Sequence, residues 1–340
     1  MNGDTRSIAV NLMSWARGTD ASNASPNVVV SADASLSEGL AGHDFMTPGS
    51  VLFTPRTDHG HQRPETRWQV FEYVGDFTDP DADIQIGDDF YVQLQSYAVS
   101  EFVPIGGPTI LRMDSDVDKA AFFRDADYAR ATGKFPSALL HPQSILGDLP
   151  SIGLDPAATT VRHVFLNDSG DVSTSPSGIP IGTVQNTHSS WSERWVEGVE
   201  TVSRQSDNAD RPWLGNYLLA ADALRHAAVR GLQPMRVSGF GGHLVSNLDS
   251  VDSPVPSSTA LLLFNNDVAH LHDSASSRTY KLGSDAAKFV DVMLRFGADA
   301  GAAARTLGCS EDLAAASIRQ INASFAAKDI RITSTEPAGL

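Results

Sequence analysis

Apolar and polar positions change rhythm along this chain, and the clearest change comes near its end. Leu261-Leu262-Leu263-Phe264 is an apolar run, broken by Asn265-Asn266-Asp267 and followed by Val268-Ala269-His270-Leu271-His272. Asp273 to Ser277 makes a second polar break before Arg278-Thr279-Tyr280-Lys281-Leu282. Short runs bounded by Asn, Asp and Ser predict a three-stranded antiparallel meander. After Gly283 the period lengthens. Ser284 or Asp285 is suited to cap a helix, because a side-chain oxygen can accept from the free N–H groups of a first turn. Ala286, Phe289, Val290, Met293, Leu294 and Phe296 recur at helical spacing until Gly297 ends them. Asp299 to Leu307 predicts a second, alanine-rich helix closed by Gly308. Ser310-Glu311-Asp312 caps a third, in which Leu313, Ala316, Ser317, Gln320, Ile321, Ser324 and Phe325 advance along one stripe.

Upstream the pattern is less regular. Residues 1–135 predict a β-rich domain, with strands at Ser7–Leu12, Asn27–Ser31, Ser50–Thr54, Arg67–Val74 and Asp89–Tyr97. Val117 to Thr132 reads as a helix closed by Gly133. Residues 136–257 read as a mixed α/β region. Pro136 to Leu149 is turn-rich; Arg162–Leu166, Val172–Ser175 and Ile179–Gly182 predict a hairpin region with a polar turn. Trp191–Arg204 predicts a helix, and Asp210 can cap a second one whose face runs from Leu214 and Tyr217 to Ala228, with Gly231 as its stop. Asp249 to Ser258 has linker composition. The whole predicts an α+β fold with a winged-helix-like module at 258–332.

Three short strands followed by three helices, in this order and with these spacings, resemble the recognition element of pathways for ribosomally made, modified peptides. The pyrroloquinoline quinone peptide chaperone is its simplest form. In outline, a long chain ending in such a module is also similar to the recognition proteins of daptide-type clusters. The resemblance implies that a precursor's leader peptide adds as an extra strand beside Arg278–Leu282. The facing helix would be Leu313–Phe325. The peptide-binding residues it implies are Arg278, Thr279, Tyr280, Lys281, Leu282, Leu313, Ser317, Gln320, Ile321 and Ser324. An exposed strand edge offers unpaired N–H and C=O groups to such a peptide. The expected role is that of a non-catalytic recognition subunit without a cofactor. Its partners would be the precursor peptide and the peptide-modifying enzymes of the same pathway.

Charge bears on the other function of a winged-helix fold, which is DNA binding. The 340-residue chain carries a formal charge of −16, yet residues 258–332 hold eight Lys+Arg and eight Asp+Glu. The helix Leu313–Phe325 has one cation, Arg319, where a recognition helix normally brings several to the phosphates. A transcription factor is therefore a weak alternative, and neither nucleic acid nor an acidic membrane surface is an expected partner. The length suggests two or three domains. The single cysteine, Cys309, excludes an internal disulfide and a cysteine-built metal site. No apolar run approaches a membrane span, and the first residues lack a basic-then-apolar signal pattern, so the expected location is cytoplasmic.

Two further patterns bear on chemistry. His59-Gly60-His61 with Glu65 has the ligand spacing of a cupin metal centre, and a cupin-like enzyme is the catalytic alternative. Pro64 and the turn-prone residues around Gly60 make a surface loop the simpler reading. Gly239-Phe240-Gly241-Gly242 lacks the Lys-Ser/Thr of a phosphate loop, and Ser238 stands in no nucleophile elbow. A tight glycine turn is expected there.

Overall fold

A computed structural model describes residues 3–18, 26–37, 39–57, 67–153, 160–232, 234–248, 260–330 and 332. The fold is α+β. Its contacts divide it into two compact units, residues 1–122 with 143–210 and residues 123–142 with 211–340. This division does not follow the expected borders at 135/136 and 257/258.

The first unit is built on a ten-stranded sheet. In chain order its elements are α1 (Gly3–Arg17), β1 (Val28–Ser31), β2 (Val51–Pro55), β3 (Gln69–Val74), β4 (Asp83–Ile86), β5 (Phe90–Ser96) and β6 (Thr109–Arg112). Helix α2 (Asp116–Thr132) carries the chain into the second unit, which takes the short α3 (Ser137–Leu140). The first unit resumes with β7 (Ser144–Leu146), β8 (His163–Leu166), β9 (Asp171–Ser173), β10 (Pro180–Thr183), α4 (His188–Ser203) and the short α5 (Ser206–Ala209). The sheet order is β10-β9-β8-β1-β2-β3-β4-β5-β6-β7, so strands from both sides of residue 135 share one sheet. Strands β8, β1, β2 and β3 are parallel neighbours, as are β5, β6 and β7; β4, β9 and β10 introduce the antiparallel pairs.

Both faces of the central strands are covered, as parallel strands require. Val28 and Val30 pack with Leu12 and Trp15 of α1, while Val29 on the other face packs with Trp191 and Trp195 of α4. The expected strand Ser7–Leu12 lies inside α1. A strand would put Ile8, Val10 and Leu12 on one face, but Val10 is 62 % exposed while Ile8, Leu12 and Trp15 are buried. The three- and four-residue period outweighs the β-branched composition there. The turn-rich stretch after Pro136 contains β7, and β4 and β6 form where no strand is expected. Helix α2 opens on a reciprocal box: Ser115 Oγ donates to Asp118, and the Asp118 amide donates back to Ser115 Oγ at 3.1 Å.

Buried His163 of β8 has its Nε2 3.0 Å from Ser14 Oγ. Burial first, then the charge of Arg162, lowers its pKa from 6.5 to about 4. The folded state therefore holds this imidazole neutral. Its contribution is complete above the unfolded pKa near 6.5 and is lost as the pH falls towards 4. Between roughly pH 7 and pH 5 it should remove about 2 kcal/mol of stability. Thermal melts across that range should show the loss, and His163→Gln should flatten it.

The second unit holds a four-stranded antiparallel sheet in the order β11-β12-β13-β14. Its elements are α6 (Leu214–Val229), β11 (Arg236–Val237), β12 (Ala260–Phe264), β13 (Ala269–Asp273), β14 (Arg278–Leu282), α7 (Ser284–Phe296), α8 (Ala300–Leu307) and α9 (Glu311–Ala326). The expected three strands and three helices are present, with β11 as a fourth strand from before residue 258. Leu262, Phe264 and Leu271 pack with Val290, Met293, Ile318 and Phe325 of the helices. On the opposite face Leu261, Leu263, His270 and His272 are buried, and His226 of α6 comes within 5.9 Å of the His272 ring.

Capping explains the helix ends. Asp299 accepts from the Ala302 amide at 2.9 Å, and Ser310 Oγ from the Leu313 amide at 3.3 Å. Gly308 ends α8 in the left-handed conformation at φ 68°. Other expected caps differ. Gly283, not Ser284 or Asp285, precedes α7, and α6 starts after Trp213, which leaves Asp210 outside it.

Candidate functional site

Strand β14 is the last strand of its sheet. The partner on one side is β13, in the register Leu271 to Tyr280 and His270 to Lys281. Among the described residues no strand pairs with its outer edge. Side chains alternate across it, as strand geometry dictates. Tyr280 and Leu282 turn to the helix side and pack against its core, and exposed Arg278 shares their face. Thr279 and Lys281 take the other face, where Thr279 Oγ1 meets His272 Nδ1 at 3.0 Å. Burial, then the charge of His226, lowers the pKa of His272.

Helix α9 meets this strand through its last turn. The Phe325 ring stands edge-on to Tyr280 at 6.0 Å, and Lys328 Nζ lies 5.3 Å over the Tyr280 ring. The buried stripe of α9 is Ala314, Ile318, Ile321 and Phe325. That departs from the expected stripe. Leu313 is 54 % exposed, Gln320 and Ser324 are exposed, and Ser317 is half-buried. Ser324 Oγ spends its hydrogen on the Gln320 carbonyl at 2.8 Å. The ten residues therefore separate. Tyr280, Leu282 and Ile321 join one core, Thr279 meets His272, exposed Arg278 and Lys281 stand on opposite faces of the edge strand, Leu313, Gln320 and Ser324 line an outward helix face, and Ser317 is half-buried.

The glycine turn after β11 is as expected, with φ 87° at Gly239, 65° at Gly241 and 128° at Gly242. Its ends hold a Ser–His–Asp cluster that spacing alone did not reveal. Ser238 Oγ donates to Asp291 Oδ1 and lies 2.8 Å from His243 Nδ1. Asp291 Oδ2 accepts from the Val245 amide at 2.8 Å. The same imidazole nitrogen faces both serine and aspartate, at 2.8 and 3.4 Å. A nucleophilic triad needs the imidazole between them, with a different nitrogen to each. The cluster thus clips the turn onto α7 rather than activating Ser238.

No protein-family model matches this chain. No curated protein and no solved structure matches it either. His59, His61 and Glu65 lie outside the described residues. Among the described residues no group of three or more His, Cys, Asp or Glu could hold a metal ion, and no helix is long and apolar enough to cross a membrane. A concavity with Arg112, Asp114 and Asp148 in its wall lies within the first unit. Gly147-Asp148 falls in the stretch read as turn-rich, but its contacts with Thr174 and Ser175 lie far along the chain and left no sequence signal.

Proposed function

We propose that this protein binds the leader peptide of a ribosomally made precursor as a fifth strand on the outer edge of β14. The observation that carries the reading is the position of β14, packed on one face against the helices yet terminal in its sheet. A fixed edge has already lost its conformational entropy, so an added peptide gains backbone hydrogen bonds without ordering the strand. Exposed Arg278, Lys281 and Lys328 around the edge favour an acidic peptide. Holding the leader there would present the rest of the precursor to modifying enzymes at high effective concentration.

The test is a fluorescence-anisotropy titration of the full chain with the short peptides encoded beside its reading frame. One of them should bind with a Kd on the order of 1 μM. Lys281→Glu should weaken that peptide several-fold at low salt and less at high salt, since an exposed attraction is screened. Binding unchanged by the reversal at both salts would contradict the charge argument, and no binding by any of the peptides would contradict the function.

A further inference from the structure

Residues 97–108 join β5 to β6 in the first unit, and the first part of this connection is firmly held. One turn of 3-10 helix, Tyr97–Val99, buries the Tyr97 ring edge-on to Phe122 at 5.5 Å. Asp118 Oδ1, on α2, accepts from the Ala98 amide at 2.9 Å and from Ser96 Oγ at 2.5 Å. Buried Ser100 donates its hydroxyl to the Tyr97 carbonyl at 2.8 Å, and the Phe102 amide donates to the Val99 carbonyl at 2.9 Å. Yet the Phe102 ring is 79 % exposed, and its chain neighbours Val99 and Val103 are 40 % and 37 % exposed. Val117, next to Asp118 at the start of α2, is 68 % exposed. Single apolar side chains on a surface are ordinary. An aromatic ring carried with apolar neighbours on a tied turn has the form of a contact anchor. The ties remove an ordering cost that binding would otherwise meet.

The surroundings are acidic. Residues 72–122 hold eleven Asp+Glu against two cations, Arg112 and Lys119. Arg112 is buried and its Nε lies 2.7 Å from Asp114. Glu101 and Asp116 are exposed next to Phe102 and Val117 in the chain. This charge narrows the partner. Nucleic acid and anionic lipid are repelled. A second copy of this chain offers no counter-charge, because the first unit holds twenty-seven Asp+Glu and ten Lys+Arg, and the second fourteen and fifteen. A projecting ring also needs a hollow to enter, which a short peptide lacks.

We propose that Phe102 is the anchor of a docking surface for a folded, basic protein. The ring enters an apolar pocket of that protein, and Lys and Arg residues on the pocket rim meet Glu101 and Asp116. The partner is the enzyme that modifies the peptide, an assignment that rests on the function proposed above. Its docking surface takes no part of β14, which belongs to the second unit.

The test is biolayer interferometry of the full chain against each purified enzyme encoded beside its reading frame, run in parallel with the leader-peptide titration. One enzyme should bind with a Kd on the order of 1 μM at low salt, and several-fold more weakly at high salt. Phe102→Asp should weaken it at least about tenfold. Glu101→Lys should weaken it several-fold at low salt and less at high salt. Both side chains are exposed, so both variants should melt like the parent and bind the leader peptide like the parent. The proposal is overturned if no enzyme binds, if salt leaves the affinity unchanged, or if Phe102→Asp binds like the parent. Enzyme docking that persists where no leader peptide binds would support the surface and overturn strand addition alone.

Discussion

Asp291→Ala should cost the second unit about 2–3 kcal/mol, because a buried carboxylate that accepts from two half-buried donors is lost at once. The Asp291 side chain has no solvent exposure. It takes the Ser238 hydroxyl on one oxygen and the Val245 amide on the other, while His243 sits 3.4 Å from the first. Alanine leaves both donors without this acceptor. Asp291→Asn keeps one acceptor and should cost roughly half as much. Urea unfolding of the two variants checks the order. A loss under about 1 kcal/mol for alanine would mean that the clip is not formed.

Trp191→Ala should cost the first unit about 3–5 kcal/mol. The indole is fully buried, stacks on the His43 ring at 4.3 Å and leans on Phe45 at 5.4 Å. Its Nε1 donates to the Thr183 carbonyl at 3.0 Å, so truncation also removes a hydrogen bond at the end of β10, where the Asn186 amide remains as that carbonyl's donor. The neighbours come from β10, α4 and the loop around His43, and they cannot all move into the void. Scanning calorimetry should show the main transition fall by several degrees. An unchanged transition would contradict the packing described for this face of the sheet.

The C-terminal elements were legible because their signals are local. Gly297 and Gly308 end helices, Asp299 and Ser310 begin them, and the Asn and Ser clusters separate strands, each within a few residues. What failed depended on distant partners. Apolarity placed Leu294 and Phe296 at the heart of α7, yet Asp291 and Arg295 are more deeply buried. Asp291 is held there by Ser238, more than fifty residues upstream. In α9, Leu313 drew the expected stripe one position off, because small Ala314 is the residue that reaches the core. Asp148 shows the same limit, since two of its three hydroxyl donors come from Thr174 and Ser175. Strand β11 has two residues and no periodicity to read.

The edge of β14 is where the account is most exposed to test. Amide hydrogen exchange, read with and without a bound precursor peptide, reports directly on whether a fifth strand forms. An added strand should pair with alternate amides of Arg278–Leu282, and those amides should slow by at least about tenfold. The amides of β12, paired on both sides already, should change little. A peptide that binds while the β14 amides exchange as in the free protein would contradict strand addition.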